Sequence, residues 1–151
     1  MRRLGEASRK GALVLLMLLA ALAAHAANQP TVDELKAKVP SANAADKPRL
    51  CLQIAERQLT TADKLYIAAE NEKGQTALND ALTYSESARD YAIQAHKHEK
   101  QTEIAVRGMI RKLNDMLHTL SHDEQPPIKD AIGRLERVRG DLLLAMFPKA
   151  K

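Results

Sequence analysis

Gln94-Ala95-His96-Lys97-His98-Glu99-Lys100-Gln101-Thr102-Glu103 (QAHKHEKQTE) decides how the rest of the chain folds. These residues are polar on nearly every face. Read as a loop, they separate two helices, and the chain makes a four-helix bundle. Read as helix, they bridge solvent between two packed ends of one rod. The stretch holds neither Gly nor Pro, and the three-four step of small and apolar residues before it (Ala88, Ala92, Ala95) resumes unshifted at Glu99, Thr102 and Val106. An arbitrary loop would reset that phase. A continuous helix over about 76–121 is therefore expected, ~68 Å long at about 1.5 Å per residue. The alternative is a four-helix bundle with a break near 96–100.

The stripe extends outward on both sides. Leu78, Ala81 and Ser85 precede it, and the small residues of this half let a partner helix approach closely; Met109, Leu113, Met116 and Leu120 continue it with longer side chains. A second helix is expected over 48–73, with Leu52, Ala55, Leu59, Ala62, Tyr66 and Ala69 on one face. Pro48 suits its first turn, Asp46 is the candidate cap, and Gly74 is the candidate left-handed residue that ends it. The Pro126-Pro127 pair stops any helix crossing it. A third helix follows over 127–147, striped by Ile128, Ala131, Leu135, Val138, Leu142 and Ala145. Short connections make neighbours antiparallel. The fold class is all-α, with antiparallel helical hairpins sharing one long central helix.

Upstream, 27–47 reads as a flexible lead-in with a short amphipathic helix: Thr31 and Glu34 match a capping box, and Val32, Leu35 and Val39 share a side. Residues 1–26 read as a secretory signal peptide. Arg2, Arg3, Arg9 and Lys10 are basic, Ala12 to Ala24 is an unbroken apolar run too short to span a bilayer, and Ala24-His25-Ala26 supplies the small-x-small site. The chain carries 23 Lys and Arg against 19 Asp and Glu, a net +4. The signal holds four of those bases and one of those acids, which leaves 19 against 18. The basicity belongs to the export signal and gives no reason to expect a nucleic-acid partner. The expected destination is the periplasm or the medium, with no transmembrane segment after cleavage.

Cys51 is the single cysteine, in a compartment where disulfides form. It is a thiol in the fold or the link of an intermolecular disulfide. His118 and His122, four apart, would share a face of the long helix and make a candidate metal pair. His96 and His98, two apart, point to different faces. No Cys-x-x-Cys-His, Glu-x-x-His, glycine-rich phosphate loop or nucleophile-base spacing occurs, so neither a cofactor nor an enzyme activity is expected. Arg107, Arg111, Lys112, Arg134, Arg137 and Arg139 alternate with acids and read as a mixed, solvated face. Tyr66, Tyr84, Tyr91 and Phe147 are the only aromatics, a poor supply for a small-molecule pocket; Tyr84 and Tyr91 are expected over a helix seam.

Arg57-Gln58-Leu59, Tyr84-Ser85-Glu86 and Glu103-Ile104-Ala105-Val106-Arg107 resemble segments of small exported all-helical bacterial proteins. That group has no assigned activity, so the resemblance implies a helical fold and carries over no site. The expected function is that of a cell-envelope structural or interaction protein, binding a protein partner or itself through helical faces. A periplasmic metal-binding protein using the His-x3-His pair is the alternative.

Overall fold

The computed structural model describes residues 29–148. Contacts divide the chain into Met1–Thr31 and Val32–Lys151, and every helix described belongs to the second part. The expected signal peptide lies outside the described residues. The fold is all-α: α1 (Val32–Lys38), α2 (Lys47–Ile67), α3 (Asn71–Ala95), α4 (Glu99–Leu117) and α5 (Gln125–Met146), with a 3-10 turn at His122–Glu124 before α5.

The central helix is not continuous, which corrects the expected rod over 76–121. α3 ends where His96 turns left-handed (φ 50°), and α4 begins after His98, also left-handed (φ 67°). The Lys97 amide reaches back to the Ala92 carbonyl at 3.1 Å, closing one helix, and the Thr102 amide opens the next on the His98 carbonyl at 2.8 Å. Each left-handed non-glycine residue costs about 1–2 kcal/mol. Folding back offsets that cost by burying Val106, Leu113 and the rest of the α4 stripe, at about 1.5–3 kcal/mol for each large apolar side chain. Periodicity could not reveal the break because the stripe keeps its phase through the turn.

The other boundaries follow local chemistry. Pro48 stands in the first turn of α2 as expected, but the Asp46 side chain makes no cap; its carboxylate accepts from Asn43 Nδ2 at 2.6 Å. α2 ends at Ile67, short of 73, and the left-handed residue is Ala69 (φ 59°), after which the Glu70 amide bonds the Leu65 carbonyl at 2.9 Å. Gly74 is not a terminator. It lies in the first turn of α3, where a Cβ would come within 3.1 Å of the Tyr66 ring, so the missing side chain makes room for that ring. Ser121 and Glu124 form a capping box, with the Ser121 amide and hydroxyl both donating to Glu124 Oε2. Pro126 and Pro127 follow in the first turn of α5.

α3 packs most extensively on α2, and α5 on α4. The α3–α5 seam joins these pairs through Glu86–Arg134 and Arg89–Asp141, both at 2.9 Å. Paired residue numbers rise together along that seam, so α3 and α5 run the same way. The Asp63–Lys112 bridge at 3.0 Å links α2 to α4 on the opposite side. The predicted stripes are largely buried; Ala69 and Ala145 at their ends are exposed, and Ala95 and Glu99, beside the turn, are only half-buried.

The region expected to be a flexible lead-in is docked. Leu35 and Val39 of α1 and its following turn are buried. Lys36 donates to Asp80 of α3 and lies 5.5 Å from the Tyr84 ring centre, while Lys47 lies 5.2 Å from that of Tyr91. The two tyrosines thus cover the α2–α3 seam as expected, each beneath a lysine.

Candidate functional site

The side of the bundle formed by α2 and α4 is its least tightly closed. The helices meet across few residues, and two contiguous hollows of about 610 and 410 Å³ run between them. Leu59, Ala105, Met109 and Met116 supply apolar lining, and Gly108 opens the surface further: a Cβ there would meet nothing within 4 Å. Ile67 and Ile104, 76% and 46% exposed, stand toward its two ends. Asp63 and Lys112 cross it in an ion pair, and Arg111 and Asp115 follow along α4. A shallow, apolar trough with a few charges matches the shape and chemistry of a helix-receiving groove.

Sequence reasoning passed over these residues because each looked ordinary alone. Gly108 fell inside a helical pattern, and a helical glycine is usually only tolerated. The available signal was negative: Ile67 and Ile104 are large apolar residues that lie off the buried three-four stripes.

The structure does not place His118 and His122 on one helix. α4 ends at Leu117, so His118 is its capping residue and His122 opens the next 3-10 turn. They do not share a helical face, which removes the geometric premise of the metal pair. Among the described residues, no group of three His, Cys, Asp or Glu side chains gathers as a metal site would require. Cys51 is fully buried and reduced, and burial raises its thiol pKa to about 11 despite the nearby Lys47 charge. A second chain cannot reach it while the domain is folded, which counts against the intermolecular disulfide.

The buried polar groups serve the scaffold. Ser85 donates to the Ala81 carbonyl at 2.8 Å, and Thr102 to that of His98 at 2.8 Å. Glu103, 7% exposed, accepts from Arg139 Nε at 2.9 Å and has Arg107 within 3.5 Å. Tyr66 has a buried hydroxyl without a hydrogen-bond partner; burial and then the Glu124 charge raise its pKa. Among the described residues, no helix is long and apolar enough to cross a membrane. The chain matches no known protein family, no curated protein and no solved structure.

Proposed function

We propose that this chain is an exported cell-envelope protein that binds a protein partner or another copy of itself through the face made by α2 and α4. The open trough between those helices is the observation that carries the reading: apolar lining, a bare Gly108, and exposed Ile67 and Ile104 at its ends. Large exposed apolar groups around a concave surface are a common mark of an interaction site. Export rests on the three-part N-terminal segment alone.

Two measurements test the reading. Mass spectrometry of the protein recovered from its own cells should find a chain beginning at Ala27; a chain retaining Met1 would remove the export half. A photo-crosslinking side chain placed at Gly108 in intact cells should yield a discrete protein adduct that Ile104→Asp suppresses. Absence of any adduct at Gly108 and at Ile67 would remove the binding half.

A further inference from the structure

The turn between α3 and α4 is built against the preference of its own sequence. His96-Lys97-His98 is exposed and contains two left-handed residues, yet it has no glycine, the residue that takes such backbone without penalty. The same ten residues read as uninterrupted helix. The buried residues before the turn (Ala88, Ala92) and after it (Thr102, Val106) stay on one face if the helix is drawn straight. Straightening would therefore relieve two unfavourable conformations and keep both stripes aligned.

We propose that this turn is a hinge through which two copies of the chain exchange their α4–α5 halves, forming a dimer in which residues 71–117 are one helix. The internal contacts favour this mode of exchange. α2 with α3, and α4 with α5, make the most extensive seams, and neither seam crosses the hinge. The polar contacts that cross it, among them Asp63–Lys112, Glu86–Arg134, Arg89–Asp141 and Asn71–Glu124, can be remade between chains. α3 and α4 are antiparallel neighbours within one chain, so the two straightened helices lie antiparallel and a twofold axis closes the assembly. Strained short connections are the recognised route to such exchange. The occupant is a second copy because only an identical chain supplies the same α4–α5 pair.

Opposite substitutions at the same positions test this. Alanine favours helix and is penalised in the left-handed region, so His96→Ala with His98→Ala should raise the dimer fraction. His96→Gly with His98→Gly should lower the dimerisation constant by about tenfold or more. Both are read by sedimentation velocity after refolding at high protein concentration. Exchange itself is read with Asp63→Cys and Lys112→Cys in one chain joined by a short bis-maleimide: the monomer closes internally, and the exchanged dimer gives a covalent dimer on a denaturing gel. Equal dimer fractions in the alanine and glycine variants, or dimers that crosslink only within chains, would overturn the proposal. Those results would leave the α2–α4 binding face untouched, since its test at Gly108 does not depend on the hinge.

Discussion

Arg139 Nε on α5 donates to Glu103 Oε1 on α4 at 2.9 Å, closing over a side chain that is only 9% exposed. The two ends of this bond are unequal. Removing Arg139 leaves a buried anion with Arg107 as its remaining cation at 3.5 Å, whereas removing Glu103 leaves a guanidinium that can turn to water. Arg139→Ala is expected to lower the urea midpoint clearly more than Glu103→Gln. Equal losses would mean that packing, not the unpaired charge, sets the cost.

Ala69 occupies the left-handed position at the end of α2 with its side chain exposed. Glycine adopts that backbone without the Cβ clash, at some cost in unfolded-chain entropy. Ala69→Gly should therefore stabilise the domain by about 0.5–1 kcal/mol. Chemical denaturation monitored by circular dichroism measures it, and a loss of stability would contradict the assigned backbone.

Two glycines should respond oppositely to alanine. At Gly140 a Cβ meets nothing within 4 Å, so the gain in helix propensity appears alone, about 0.8–1 kcal/mol. At Gly74 the new methyl would lie 3.1 Å from the buried Tyr66 ring, which must shift to admit it, so the same change should cost about 1 kcal/mol or more. Thermal melts of the two variants side by side decide the matter.

The docking of α1 should depend on pH at both ends of the scale. Burial raises the Asp80 carboxyl, but bonds from Lys36 and Gln58 outweigh it and hold its pKa below the ordinary 3.8. The stabilisation is complete above 3.8 and is lost as pH falls through the lowered value. The bond to Asp80 raises Lys36 above 10.5, so its share is complete below 10.5 and is lost as pH rises through the raised value. Hydrogen exchange in α1 should be slow between these limits and faster beyond either. Asp80→Asn should abolish the acid limb and weaken the alkaline one, because the bond to the Asp80 carboxylate is the main cause of the raised Lys36 pKa.

Cys51 should resist alkylation in the native protein and react at once in denaturant, because its thiol is buried and its pKa is pushed up to about 11. Rapid native labelling would show that the α2–α3 seam opens freely.

Helix identity was legible because burial follows the three-four rule at Leu59, Ala81, Leu113 and Leu135 alike. Boundaries were less so. Pro48 and Pro126-Pro127 announce helix starts through an immutable ring, while Ala69, His96 and His98 end or begin helices in conformations that their residue types do not advertise. The tertiary gain that holds them there is invisible in a local window. The trough was hidden for a related reason: Ile67 and Ile104 become neighbours of one surface only after α2 and α4 are set side by side. The common face expected of His118 and His122 required a helix that instead stops one residue before His118.

The antiparallel turns set α2 and α4 side by side with their amino ends together, at Lys47 and Glu99, and their carboxyl ends together, near Ile67 and Leu117. Their peptide dipoles therefore reinforce one another along the trough, positive at the first end and negative at the second. On the proposed binding role, a partner helix in the trough would be favoured antiparallel to its hosts, with its own amino end beside Ile67.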